Sequence, residues 1–230
     1  MKMLGRLVVV LLIILVLTQF ALPKAAEQGL EHALKASYPG IDSVNVDLKA
    51  FPALKLLAGK ADKLNIDAEN YPIGKLTAQS FTAQLSKVSL DMAKLLSDKK
   101  VHLNAVEKAV SLVLTEDMLN QYLESNFENS ILAQPNLSIG DRGIKLQGVI
   151  TVVGQEINAA VQGSLVLDSG QLWFKPNKVE INGAEYAPTI QKRLLSRVGF
   201  KVTIRNMPIQ IKFNKVRQIR GKLLLEAKTS

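Results

Sequence analysis

The chain has 230 residues, enough for one large domain or two small ones, and a hydrophobic fraction of 47%, which is that of a folded protein. It contains no cysteine, which excludes disulfides, thiolate nucleophiles and cysteine-ligated zinc. The net charge is +9, but residues 186–230 carry 11 Lys/Arg against one acid, whereas residues 25–185 carry 15 against 19. This asymmetry indicates an anionic partner, either nucleic acid, phospholipid head groups or an acidic wall polymer, unless the basic face is merely solvated.

The N-terminus predicts a membrane segment. Lys2 and Arg6 precede an apolar run, Leu7–Leu22, that only Thr18 and Gln19 interrupt. As a helix this run spans about 24 Å, and with the preceding residues it approaches the roughly 30 Å of a bilayer core.

We expect this segment to be an uncleaved signal anchor, because Pro23 and Lys24 make a poor signal-peptidase site. Residues 1–24 would then be the anchor of a single-pass protein of the cell membrane, with the N-terminus cytoplasmic and residues 25–230 outside. If the segment is cleaved, the protein is secreted. Export argues against nucleic acid and favours membrane or wall anions as the partner.

After the anchor, the pattern predicts a short helix over residues 25–37 and a strand with alternating Val44, Val46 and Leu48. Phe51-Pro52 begins a short leucine-rich helix that Gly59 ends. A strand through Leu64 and Ile66 and a long strand over residues 74–90 follow. The segments KLLAGKADKLN (55–65) and KLLSDKKVHLN (94–104) align at a constant offset of 39 residues, which suggests a duplicated strand–helix–strand unit.

The second half begins with a strand ending at Leu114 and a helix for which Thr115 is the N-cap. A meander of strands follows at 136–140, 143–153, 157–168 and 171–182, then a helix over 187–198. Two closing strands carry Ile209, Ile211 and Phe213, and then Ile219, Leu223 and Leu225. We therefore predict one elongated α+β domain, with a large curved antiparallel sheet and short amphipathic helices, after an N-terminal transmembrane helix.

No local motif for catalysis, metal binding or a cofactor is present. His32 and His102 have no partner at metal-ligand spacing and are predicted to be surface residues. Glu116 and Asp117 are explained by their place in the first turn of a helix, where the dipole favours acids. We predict a non-enzyme without cofactors, although carboxylates from distant strands could still form a hydrolase site.

Several phrases in chain order resemble the LmeA-like phospholipid-binding family of bacterial envelope proteins. They are VDLKAFPALKLLAGKADKLNID, VSLDMAKLLSDKK, LTEDMLNQYL, the stretch from IKLQGVITVV to INGAEYAP with Phe174–Pro176, and MPIQIKFNKVRQIRGKLLLEA. The resemblance covers nearly all of residues 27–228. It implies an exported domain that binds phospholipid in an elongated apolar groove, similar to tubular lipid-binding proteins, and it brings no catalytic residues. Ser97-Asp98 departs from the glycine expected in the second repeated unit.

The leading hypothesis is a membrane-anchored phospholipid-binding protein that holds or shuttles lipid in the cell envelope. The alternatives are a structural protein that docks on anionic wall polymer and an accessory factor in envelope glycan or lipid assembly. The groove would be lined or capped by Phe51, Leu54, Leu57, Phe81, Leu95 and Trp173, which could equally be sealed core. The surface facing anionic head groups would comprise Lys192, Arg193, Arg197, Lys212, Arg217 and Arg220, together with Lys215 and Lys222.

Overall fold

The computed structural model describes residues 2–90, 101–126, 132–141, 143–152, 154–168, 170–185 and 198–229. The helices are α1 (Lys2–Ser37), a 3₁₀ helix (Ala53–Ala58) and α2 (Glu116–Asn126). The strands are β1 (Ser43–Lys49), β2 (Lys60–Ile73), β3 (Leu76–Leu90), β4 (Leu103–Thr115), β5 (Ala133–Gly140), β6 (Gly143–Val152), β7 (Gln155–Asp168), β8 (Gln171–Ile181), β9 (Ala184–Glu185), β10 (Lys201–Thr203), β11 (Lys215–Ile219) and β12 (Lys222–Thr229). The predicted helix over 187–198 and most of the second repeated unit lie outside the described residues.

The described strands form two antiparallel sheets around one core. Sheet A has the order β1-β2-β3-β4-β12-β11, and sheet B has the order β10-β8-β7-β6-β5 with β9 beside β8. Buried residues of both sheets belong to a single hydrophobic cluster. The fold is therefore the predicted one, mostly antiparallel and curled into a half-barrel, and the sequence pattern did not reveal the division into two sheets.

Strand alternation decides which face of sheet A is buried. One row of paired residues crosses five strands, and all of its members are buried: Val46, Ile66, Ala83, Val110 and Ala227. Their sequence neighbours point to the opposite face, because successive side chains of a strand alternate. The period-2 pattern in the sequence was thus sufficient to orient this sheet.

The N-terminal segment differs from the prediction of an anchor followed by a separate helix. α1 is one continuous 36-residue helix, with Pro23 inside it. Proline removes one backbone donor and normally kinks or ends a helix, yet this helix continues on both sides of Pro23. The C-terminal part of α1 packs on β1 and buries Leu30 and Leu34, as their spacing predicted.

Side chains of α1 also cover the free edge of sheet A. The Glu31 carboxylate accepts a hydrogen bond from the Val46 N–H at 3.2 Å, and Glu27 accepts one from the Leu48 N–H at 3.0 Å. An edge strand exposes unpaired backbone groups that invite aggregation unless something covers them. The two glutamates satisfy this requirement and attach α1 to the sheet.

α2 covers the free edge of sheet B in the same way. The predicted N-cap is confirmed, since Thr115 Oγ1 accepts the Met118 N–H at 3.3 Å. Glu116 accepts the Ile139 N–H of β5 at 2.8 Å, and the Asn120 amide oxygen accepts the Leu137 N–H at 2.6 Å. Glu116 therefore has a structural role, as expected from its position.

The closing segment is corrected in two places. Residues 209–213 were predicted to be a strand, but they form only a single bridge, between Ile209 and Leu103. Ile209 and Phe213 are nevertheless buried, so their apolar character reflects packing and not strand pairing. The second predicted strand, through Ile219, Leu223 and Leu225, is instead a hairpin, because β11 ends at Ile219 and β12 begins at Lys222.

Candidate functional site

The segment between β1 and β2 forms an apolar corner, which we define as residues 51–58. Pro52 is the N-cap of the 3₁₀ helix, and Gly59 ends it with a left-handed φ of 67° and an N–H bonded to the Leu56 carbonyl. A 3₁₀ helix has three residues per turn, so residues three apart share a face. Ala53 and Leu56 accordingly face the protein, whereas Leu54 and Leu57 face outward with exposed fractions of 50% and 70%.

Phe51, which precedes the 3₁₀ helix, is 76% exposed. Asp62 of β2 holds this end of the corner, because its carboxylate accepts the Phe51 N–H at 2.7 Å and a hydrogen bond from Lys55 Nζ at 2.9 Å. The Lys55 ammonium, and then the Phe51 N–H, lower the pKa of Asp62 below its ordinary value. Asp62 is thus held as a carboxylate at neutral pH.

Gln19 of α1 joins the corner to the N-terminal helix. Its amide nitrogen donates to the Ala50 carbonyl and its amide oxygen accepts the Ala53 N–H, both at 2.9 Å. The two bonds occupy both hydrogen-bonding ends of one side chain, so they fix the depth of the corner along α1. Glu27 follows Gln19 by eight residues, and Glu31 follows Glu27 by four. This spacing places the three side chains on one face of the helix.

A small apolar pocket lies behind the corner. Its free volume is about 70 Å³, and its walls come from α1, the 3₁₀ helix and the first four strands of sheet A. Lining residues include Ala26, Leu30, Leu56, Ala61, Leu64 and Leu103. Pockets that hold whole drug-sized ligands measure roughly 300–1,000 Å³, so this pocket in its present shape accommodates only a few methylene groups.

The predicted lipid-contacting residues therefore do not form one lining. Phe51, Leu54 and Leu57 come together at the corner but face away from the pocket. Phe81 is fully buried and stacks on Tyr71 with ring centroids 4.7 Å apart, which makes it part of the core of sheet A. Leu95 lies outside the described residues.

Trp173 lies on sheet B, away from the corner in the fold. Its ring is 37% exposed on the outer face, beside Val166, and Lys201 Nζ lies 5.4 Å from the ring centroid. Phe174 points the other way and is buried, as the alternation predicted. Trp173 is thus a half-exposed aromatic residue in contact with a cation.

The basic C-terminal surface is only partly as expected. Lys212 and Arg220 are exposed, and no ion pair involves either of them within the described residues. Arg217, however, forms a 2.7 Å ion pair with Glu226 of the paired strand. The one acid of residues 186–230 thus compensates Arg217, because the pairing of β11 with β12 brings the two side chains together. Lys192, Arg193 and Arg197 lie outside the described residues.

The described ranges contain no group of three or more His, Asp or Glu side chains placed to hold a metal ion. His32 is exposed on α1, with Nδ1 2.8 Å from the Gln28 carbonyl, and His102 is also exposed. Both positions agree with the prediction of surface residues.

Sequence reasoning did not identify Gln19, Glu27, Glu31 and Asp62, which hold α1 and the corner on the sheet. A signal was present for Gln19, because a glutamine within an apolar run requires a hydrogen-bonding partner. Its spacing from the two glutamates pointed to one polar face. The partners themselves lie 11–34 residues away along the chain, too far for periodicity to identify.

No curated protein and no solved structure matches this chain. The family model described as LmeA-like phospholipid-binding matches residues 17–228. The match begins before Gln19 and so includes the residues that attach α1 to the corner as well as both sheets. The protein belongs to the LmeA-like phospholipid-binding family.

Proposed function

We propose that this protein is anchored in the cell membrane by α1 and holds or transfers phospholipid on the outer side of that membrane. α1 is the one helix in the described part of the chain that is long and apolar enough to span a bilayer. None of its most apolar stretch is buried against the protein. Lys2 and Arg6 precede it, which favours a cytoplasmic N-terminus and residues 25–230 outside.

The observation that supports this function most is the pocket that α1 and sheet A build together. The helix that would cross the bilayer contributes Ala26 and Leu30 to the wall, so the pocket lies where α1 leaves the membrane. A few methylene groups buried there would each contribute about 0.8 kcal/mol. The terminal part of an acyl chain is the ligand that fits such a dry and narrow space, and a longer length would require α1 or the corner to shift.

The test uses the full chain, because α1 forms part of the pocket. We expect native mass spectrometry of the protein released from mild detergent to show one retained phospholipid. Ala61→Leu fills the pocket with three further carbon atoms and should abolish retention. The matched control is Ala160→Leu, on the opposite face from the buried residues of β7.

The three added carbon atoms stabilise the folded variant by up to about 2 kcal/mol through apolar burial. Packing strain of about 1–3 kcal/mol offsets this gain. The melting temperature of the Ala61→Leu variant should therefore change little. If this variant retains lipid as the control does, the pocket is not the site. If the unaltered protein retains none under any mild condition, lipid binding by this chain is itself refuted.

The alternatives are docking on anionic wall polymer and accessory work in envelope assembly. The exposed Lys212 and Arg220 favour an anionic surface but do not distinguish lipid from polymer. Membership of a phospholipid-binding family, which is not a known enzyme family, supports lipid binding without catalysis.

A further inference from the structure

The corner concentrates exposed apolar side chains. Outside α1, the large hydrophobic residues that are exposed in the described part of the chain are Phe51, Leu54, Leu57, Val106, Trp173 and Ile219. Half of them fall within seven consecutive residues. Single exposed apolar residues are ordinary, but a contiguous group marks an interaction surface.

The bonds of Gln19 show where the exposed residues of the corner lie along the axis of α1. The apolar run of α1 ends at Leu22, and Gln19 lies three residues earlier, or about 4.5 Å inside that end. Because Gln19 bonds to both Ala50 and Ala53, the corner lies beside the last turn of the apolar run. Phe20, in that same turn, is itself 75% exposed.

Three lysines lie close in sequence to the corner or to the end of the apolar run. Lys24 lies just beyond the apolar run, and Lys55 and Lys60 flank Leu57 in sequence. Lys55 is paired with Asp62, so its charge is compensated beside the apolar tip. An apolar tip bordered by lysines is typical of surfaces that lie in the interfacial region of a membrane.

We propose that Phe51, Leu54 and Leu57 insert into the outer leaflet of the bilayer that α1 crosses, which places the pocket just above the acyl chains, at the point where α1 leaves the membrane. This proposal rests on the proposed placement of α1. The partner is the lipid surface, because the corner is continuous with the exposed apolar face of α1 and is fixed to it by Gln19. Leu56, on the opposite face of the same 3₁₀ helix, forms part of the pocket wall, so the inserted tip and the pocket share one short element.

The absence of cysteine allows a direct test, since a single cysteine carries a single label. An environment-sensitive fluorophore is attached to Leu54→Cys or Leu57→Cys in the full chain, reconstituted into phosphatidylcholine–phosphatidylglycerol vesicles. Lipids that carry a quencher on the acyl chain, at a shallow or at a deep position, are included in parallel vesicle preparations. Val106→Cys on β4 is the matched exposed control, and Leu12→Cys in α1 is the reference for an inserted position.

We expect the shallow quencher to act on the probes at 54 and 57 several-fold more strongly than on the probe at 106, and about as strongly as the deep quencher acts on the probe at 12. Leu54→Gln combined with Leu57→Gln should slow lipid uptake several-fold without lowering the melting temperature, because both side chains are exposed.

Quenching at position 12 but not at 54 or 57 would overturn the insertion of the corner and leave α1 as an anchor. No quenching at any of these positions would refute the anchoring and, with it, this proposal. Probes at 54 and 57 that become shielded without lipid, in proportion to protein concentration, would mean that a second copy covers the corner, which also overturns insertion.

Discussion

Replacing Glu27 and Glu31 of α1 with alanine tests how this helix is attached to the domain. Each carboxylate accepts one backbone N–H of β1, at 3.0 Å for Leu48 and 3.2 Å for Val46. β1 is an edge strand, so no neighbouring strand can replace these acceptors. The Glu27 side chain is only 13% exposed, which limits the access of water to that bond.

The expected loss follows from leaving two partly buried donors without a protein acceptor. Such a donor costs about 1–3 kcal/mol, and we take the lower half of that range because an edge strand admits some water. The loss of both hydrogen bonds then costs about 3 kcal/mol. This corresponds to a roughly 100-fold increase in the equilibrium constant for local separation of α1 from β1.

Hydrogen exchange on the full chain in detergent measures this opening. The amides of Val46 and Leu48 should exchange about 100-fold faster in the double variant, in keeping with that energy. The amides of Asn45 and Asp47 point towards β2 by strand alternation and should change less. Glu124→Ala, on the exposed face of α2, is the matched glutamate control.

Unchanged exchange at both amides, with the variant folded, would refute the reasoning. It would mean that packing of Leu30 and Leu34 alone holds α1 on the sheet. The pocket wall formed by Ala26 would then not depend on the edge-strand bonds.

Two further predictions concern charge. The pKa of Asp62 in the folded protein is lower than the ordinary aspartate value of 3.8. The stabilisation from its hydrogen bond with the Phe51 N–H is therefore fully present above pH 3.8 and is lost as the pH falls through the pKa of the folded state. The exchange rate of the Phe51 amide, corrected for its intrinsic pH dependence, should therefore be constant from about pH 8 to 5 and rise only in stronger acid. An increase near pH 6 would contradict the assignment of Asp62 as the acceptor. Vesicles carrying the full chain should dock on anionic vesicles at low salt. Replacing Lys212 and Arg220 by Gln should weaken this docking about 30-fold, because each cation contributes about 1 kcal/mol. The charge-neutral control replaces Arg217 and Glu226 together, and an equal loss in this control would contradict the basic-surface hypothesis.

Local patterns in the sequence predicted much of the fold correctly. Alternating apolar residues in β1–β4 identified the buried face of sheet A, because a strand has a fixed period of two. Thr115 and Gly59 marked a helix start and a helix end through their own backbone and side-chain chemistry. These features depend on neighbours only a few residues away, so a single sequence is sufficient to identify them.

The tertiary structure decided the features that depend on docking. The sequence predicted a separate helix after the anchor, yet α1 is continuous through Pro23; Gln19 on one side of the proline bonds to the corner, and Glu27 and Glu31 on the other side bond to β1. Leu54 and Leu57 were assigned to the apolar lining, but the packing of the 3₁₀ helix on the sheet turns Ala53 and Leu56 inward and leaves Leu54 and Leu57 exposed. Arg217 and Glu226 are nine residues apart and meet only through the β11–β12 register. In each case the contact joins separate elements of the chain. Their relative position depends on packing, which is a property of the whole fold and not of any one segment.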